Sequence, residues 1–507
     1  MGLMALKKIT WKICSGGALL IIILLGSQFL FLSNASTPTT RTPIKHIVIL
    51  MQENRTLENF FWTYPGIVNG SSQDPTLCMP KSLTKNLGCA KPTYTSDPLS
   101  NHGDLTHDWN TSWLSYDYGK MDGFMAADGG NPDIMTYYNA TLLPYIWNFA
   151  RNYTLADEFF SSVKSYSQPN HWFMIAGQSP QVSLLQKEGV ERSYCVNSNF
   201  QLTLSTCTYI NAAQKITTMA QLLSQHGISW KYYDTPRNTG INLDQSIINS
   251  AKFVSTYQDP FDYFNPLNAI NQSYTNNSIS SNIVARYQFF SDVKNGNLPA
   301  VSWIIPSVSI SDHPPANITL GEWWIDDVVS SIMQSQYWKN TMIVILWDDY
   351  GGFFSTLAPP TYPDNEGLSK AAGLGFRAPA LIISPYSKSG YIDNSVYDFE
   401  STLAFIEHNW NLPPLTIRDT YDVNHMSNLH NALNFSQTKL KAHFIPLTAS
   451  QLATITPYIY NQCQCIPPAV GIMIGTSGLS SVTFAQLAYA QSASSNLTSF
   501  FVGGDPD

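Results

Sequence analysis

Two carboxylates stand side by side at Asp348 and Asp349, directly after the uncharged run Thr341 to Trp347 and directly before Tyr350-Gly351-Gly352. Adjacent carboxylates repel each other unless a cation or hydrogen-bond donors lie between them, so the pair calls for a metal or a positive partner. A strand ending in a solvated acidic turn is the other reading of the stretch alone. A second stretch of the same construction shifts the balance. Residues Ile44 to Gln52 are again mostly apolar and end in Glu53-Asn54-Arg55. A carboxylate beside an amide oxygen suits a hard cation, so Asn54 reads as a ligand although Asn54-Arg55-Thr56 is also a glycosylation sequon.

A nucleophile is available in the hydroxyl cluster Ser165-Tyr166-Ser167, which precedes Gln168-Pro169-Asn170-His171 and an apolar stretch. Such a cluster either caps a helix or presents a serine at a helix end, where free N–H groups attract a phosphate. Two further histidines stand in polar surroundings, His107 before Asp108-Trp109 and His313 after Ser311-Asp312. Their roles depend on where their loops fold.

The elements that must position these groups are strands feeding one edge. Apolar runs without polar alternation predict buried strands at Ile44–Gln52, Leu298–Pro306, Thr341–Trp347 and Gly375–Pro385, with another at Ser229–Tyr233. Helices are predicted over Leu142–Asn152, Ile325–Gln336 and Asp398–Asn409, and residues 64–130 read as loop-rich. In an open α/β sheet, ligands bind beyond the carboxyl ends of the strands, where the acids fall.

At 507 residues, 44% of them hydrophobic, the chain can bury a large core, while charged residues make up only 12%. A surface poor in carboxylates loses little when they are protonated, which predicts tolerance of an acidic exterior. A formal charge of −8 without Lys/Arg clusters argues against nucleic acid as a partner. Lys7, Lys8 and Lys12 precede an uncharged stretch from Ile13 to Leu32, long enough to span a bilayer. Ser33-Asn34-Ala35 resembles a cleavage site, so residues 1–35 read as a signal anchor or signal peptide, and the remainder as extracytoplasmic. Cys14 lies in that stretch, leaving Cys78/Cys89, Cys195/Cys207 and Cys463/Cys465 as local couples suited to disulfides. Sequons recurring from Asn34 to Asn496 suit a glycosylated surface protein. Residues 36–445 form the expected catalytic domain and 446–507 a Ser/Thr/Ala-rich appendage.

From about residue 44 to 420 the chain resembles the phosphoesterase family that groups bacterial phospholipases C, certain bacterial acid phosphatases and plant non-specific phospholipases C. The motifs occur in family order: Glu53-Asn54-Arg55-Thr56, Lys120 to Phe124 (Lys-Met-Asp-Gly-Phe), Ser162-Val163-Lys164-Ser165-Tyr166-Ser167-Gln168-Pro169-Asn170, Asp348 to Phe354, and Gly375 to Ala380. The resemblance implies an alkaline-phosphatase-like α/β fold, a central mostly parallel sheet between helices with loop-rich insertions. It also implies one divalent metal ion held by Glu53, Asn54, Ser167, Asp348 and Asp349, with Ser167 as nucleophile through a phosphoseryl intermediate. His107 and His313 would lie near the phosphate, and Asp312 would hold the imidazole of its neighbour or contact the leaving group. Departures are Ser165-Tyr166 in place of Gly-Pro, and Trp113, Tyr350, Thr356 and Phe399 where the family carries histidines. The expected function is therefore a metal-dependent phosphoric ester hydrolase of the acid phosphatase type, acting on a small phosphate ester. Alternatives are a phospholipase C, served by aromatic-rich loops around Trp62, Trp109, Trp113, Trp323 and Trp324, and a non-catalytic surface binding protein on the same fold.

Overall fold

A strand buried on both faces needs no polar alternation, and the two acid-terminated runs form the middle of such a sheet. In the computed structural model, residues 39–98, 103–179, 216–234, 280–307, 310–360, 373–425, 427–443 and 445 are described. The strands of the main sheet are β1 (His46–Gln52), β2 (Thr154–Ala156), β3 (Trp230–Asp234), β4 (Ile283–Ala285), β5 (Val301–Ile304), β6 (Thr341–Trp347), β7 (Ala380–Ile383) and β8 (Tyr391–Asp393). Their spatial order is β8-β2-β7-β6-β1-β5-β3-β4. β1 pairs in parallel with both β6 and β5, from Ile47 opposite Met342 and Val301 onward. Only β7 runs against its two neighbours, β6 and β2. The α/β class and mostly parallel sheet expected from the sequence are observed.

Side chains of β1 and β6 alternate between two cores. Val48, Leu50, Ile343, Ile345 and Trp347 pack against α2 (Pro144–Asn152) and α4 (Ile318–Met333) on one face. Ile47, Ile49, Met51, Met342, Val344 and Leu346 pack against α3 (Ser167–Ala176) and α5 (Phe399–Trp410) on the other. Every residue of β6 is buried.

α4 begins earlier than expected because Asn317 caps it, its Oδ1 accepting the Thr319 N–H at 2.9 Å. Within the stretch expected as loop, Asp108 caps α1 (Trp109–Tyr116) through the Thr111 N–H. A third apolar cluster, including Leu105, Phe124, Tyr350, Phe353 and Phe376, packs over the site edge and contains the end of the Lys120–Phe124 motif. Trp62, Trp323 and Trp324 are buried in the cores rather than displayed on loops. Cys78 and Cys89 form the expected disulfide. Cys195/Cys207, Cys463/Cys465, the segment 1–35 and the appendage 446–507 lie outside the described residues. No helix among the described residues is long and apolar enough to cross a membrane.

Candidate active site

The carboxyl ends of β1 and β6 are in register, Gln52 opposite Trp347, so the next residues on each meet at one edge of the sheet. Asp348 Oδ1 accepts the backbone N–H groups of Asn54 and Asp349, each at 2.8 Å, which ties the two strand ends together. Asp349 Oδ1 accepts the Gly351 N–H at 2.7 Å. One oxygen of each aspartate is thereby fixed by backbone. Asn54 adopts a left-handed conformation (φ 58°) that asparagine tolerates better than most residues. Gly351 (φ +53°) lies so close that a β-carbon there would meet the Asn54 carbonyl oxygen at 2.3 Å.

Ser167 is the first residue of α3, and its hydroxyl donates to Asp349 Oδ2 at 3.3 Å and Asn54 Oδ1 at 3.4 Å. One turn further along the same helix, His171 places Nε2 2.9 Å from Glu53 Oε1 and 3.8 Å from Asp348 Oδ2. Glu53, His171 and Asp348 present ligand atoms within 4.8 Å of one another, and all three are buried. The structure thus brings together Glu53, Asn54, Ser167, Asp348 and Asp349, and adds His171, which sequence reasoning passed over. Its spacing of four from Ser167, which places both on one helix face, was the available signal.

Burial, and then the charge of Asp348, push Glu53 well above the usual carboxylate range. The same two causes raise Asp349. Burial opposes the charge on Asp348 as well, but the adjacent Glu53 carboxyl, the neighbouring His171, Ser167 and the Asn54 backbone N–H bring it below the ordinary value. Three fully buried carboxylates therefore compete for charge that the protein alone does not neutralise. Glu53 Oε2 and Asp348 Oδ2 are buried without a hydrogen-bond partner. This set of oxygen donors with one imidazole fits a divalent cation, and the histidine makes it less purely oxygen-based than the sequence indicated.

His107 is almost fully buried, its Nε2 3.3 Å from Asn54 Nδ2 and 4.0 Å from Asp349 Oδ2, its Nδ1 2.5 Å from the Leu105 carbonyl oxygen. Burial alone would lower its pKa, but Asp349 and Asp104 outweigh it and raise the group. Asp104, not singled out from the sequence, lies 3.6 Å from His107 Nδ1 and 3.9 Å from His313 Nε2. His313 is lowered, chiefly by burial. Asp312 departs from expectation: its carboxylate lies on Gln52 Nε2 at 3.3 Å and Trp347 Nε1 at 3.0 Å, while His313 Nδ1 lies 2.6 Å from the Pro314 carbonyl oxygen. Burial pushes Asp312 up to about 7. Arg55 holds this turn by donating from Nε and Nη2 to the Asp312 carbonyl at 3.0 and 2.6 Å. The Asp312 side chain thus props the strand ends from within the core.

Over about three quarters of its length the chain is similar to bacterial phospholipases C. A non-hemolytic phospholipase C of Burkholderia pseudomallei is 28% identical over 419 residues, covering 75% of this chain and 57% of the relative's length. Phospholipase C B of Mycobacterium tuberculosis is 26% identical, covering 74% of this chain and 75% of that protein. Among solved structures, a protein in the alkaline phosphatase superfamily from Vibrio parahaemolyticus aligns at 10% identity with a TM-score of 0.33, covering 76% of this chain and 72% of that one. The model of the Phosphoesterase family matches residues 44–413, a span that includes both acid-terminated strands and the Ser167 helix, and the chain belongs to that family.

Proposed function

We propose that this protein is an extracytoplasmic, metal-dependent hydrolase of phosphoric esters of the acid phosphatase type, with Ser167 as nucleophile. The observation that carries the reading is the Ser167 hydroxyl between Asp349 Oδ2 and Asn54 Oδ1, beside the buried Glu53–His171–Asp348 group. Glu53, Asn54, Asp348, Asp349 and His171 would hold a divalent ion, which when bound would supply positive charge favouring ionisation of the serine hydroxyl and balancing the phosphoryl oxygens. Ser167 Oγ attacks phosphorus in line with the leaving oxygen, and its proton passes to the carboxylate it already faces, Asp349. The bond to the alcohol breaks as a proton from His107 or His313 reaches the leaving oxygen. Water then cleaves the phosphoserine ester, regenerating the hydroxyl and releasing phosphate. Asn54 orients the serine and His107 together.

The names of the relatives favour a second reading, a phospholipase C that splits a phosphodiester at the headgroup. Burial of Trp62, Trp323 and Trp324 removes much of the aromatic surface that would support it. The test is hydrolysis of a chromogenic phosphomonoester and a phosphocholine diester by the purified protein, with and without chelator, alongside Ser167→Ala. Chelator-sensitive monoester turnover, abolished in Ser167→Ala while its circular dichroism and metal binding stay intact, is expected. Turnover that survives the substitution removes Ser167 from the reaction, and cleavage of the diester alone replaces the phosphatase with the lipase.

A further inference from the structure

Lys164 is three residues before Ser167 yet is itself buried, only 5% exposed. Its Nζ donates to the Leu374 carbonyl oxygen at 2.6 Å and lies 4.8 Å from the centroid of the Trp113 ring and 5.0 Å from that of Tyr116. Those two rings, 5.7 Å apart and perpendicular, make a two-walled corner, with Trp109 5.9 Å beyond Trp113. A corner of aromatic faces is what binds an alkylammonium head, because each ring turns its negative face to the cation. Here the chain's own ammonium fills it. At Gly373 a β-carbon would sit 3.3 Å from Nζ, so this glycine leaves the lysine its place.

The corner is fixed to the catalytic edge from both sides. α1, which carries Trp113 and Tyr116, starts directly after His107-Asp108, and Ser112 Oγ lies 3.2 Å from the hydroxyl of Tyr350, the residue after Asp349. Lys164 is separated from Ser167 by two residues, which holds their Cα atoms within about 11 Å of each other.

We infer that Lys164 is a specificity-determining residue: by occupying the Trp113/Tyr116 corner it turns away phosphate esters of cationic alcohols such as choline and leaves the site to esters of neutral or anionic alcohols. The inference rests on the phosphatase reading and narrows its substrate class.

The probe is a matched pair of monoesters, phosphocholine and 3,3-dimethylbutyl phosphate, which differ only in a quaternary nitrogen replaced by carbon. Phosphate release by the full-length protein gives kcat/KM for each. The wild type is expected to favour the neutral ester by about tenfold or more, and Lys164→Ala to shift the ratio toward phosphocholine by about tenfold or more. Lys164→Arg keeps the cation and the wild-type ratio, and Lys164→Ala combined with Trp113→Leu loses the shift. A wild type that takes phosphocholine as readily as the neutral ester overturns the inference without any variant, as does an unchanged ratio in a folded Lys164→Ala. If the wild type hydrolyses neither ester nor a chromogenic monoester, the phosphatase reading fails and takes the inference with it. Hydrolysis with the wrong ratio sinks the inference alone.

Discussion

Gly351→Ala tests how the two strand ends hold the site. At φ +53° an alanine pays for a left-handed backbone by about 1–2 kcal/mol. Its β-carbon would also lie 2.3 Å from the Asn54 carbonyl oxygen and 2.6 Å from the Asn54 β-carbon. Both are on or next to backbone, so neither can swing aside as a flexible side-chain tip would, and crowding of this kind costs about 1–3 kcal/mol. The sum is about 3 kcal/mol of destabilisation. Relief requires Asn54 to retreat by about 1 Å, and a displacement of that size at a reacting group costs on the order of 100-fold in rate. Asn54 donates its N–H to Asp348 and its amide oxygen faces Ser167, so the movement is felt at both. The control is Gly227→Ala, which has φ +67° but nothing within 4 Å of the added carbon, and should lose only the backbone contribution. Urea denaturation of both variants, with kcat and KM for a chromogenic monoester, separates the two effects. Equal destabilisation of the pair, with Gly351→Ala retaining wild-type kcat, would refute the reasoning.

Two further outcomes follow from the same structure. His171→Gln should weaken divalent-ion binding at least about tenfold by titration calorimetry, because it replaces the imidazole beside Glu53 and Asp348; unchanged affinity would reduce His171 to a buttress. Asp326, buried in α4 with a hydrogen bond from Ser330, is pushed up to about 8 by burial. Because the folded value lies above the unfolded one, its protonated form favours the fold: the contribution is complete below about pH 4 and is lost as pH rises toward about 8. Asp326→Asn should therefore be more stable than the wild type at pH 8, by an amount that vanishes near pH 4. A pH-independent difference in urea midpoint would dismiss the assignment.

The sheet was legible because burial on both faces leaves a pattern that needs no partner to be read: Ile47 to Met51 and Met342 to Trp347 are apolar throughout, and the acids directly after them mark the edge. The start of α4 was not legible. Ile318, Leu320, Trp323 and Trp324 are all buried, so no polar face announced a helix, and the cap at Asn317 looked like a sequon. His171 was hidden because its meaning lies in Glu53, 118 residues away, while its immediate neighbours are core. Asp312 misled in the opposite direction: adjacency to His313 suggested a pair, but with φ at 74° its carboxylate lies on Trp347 and Gln52. Lys164 stands three residues before Ser167 in the sequence, and only the folded chain shows the rings it meets.

The central position of β1 has a consequence for how the molecule is made. Its hydrogen-bonding partners on either side, β5 and β6, begin at Val301 and Thr341. A ribosome adding roughly 5–20 residues per second needs about 12–60 seconds to travel from the end of β1 to these two strands. Throughout that interval the nascent chain carries an apolar strand with both edges open, ready to pair with any other extended segment. Truncated chains ending before Val301 should therefore aggregate or remain bound to chaperones, whereas chains released after Trp347 can close the middle of the sheet.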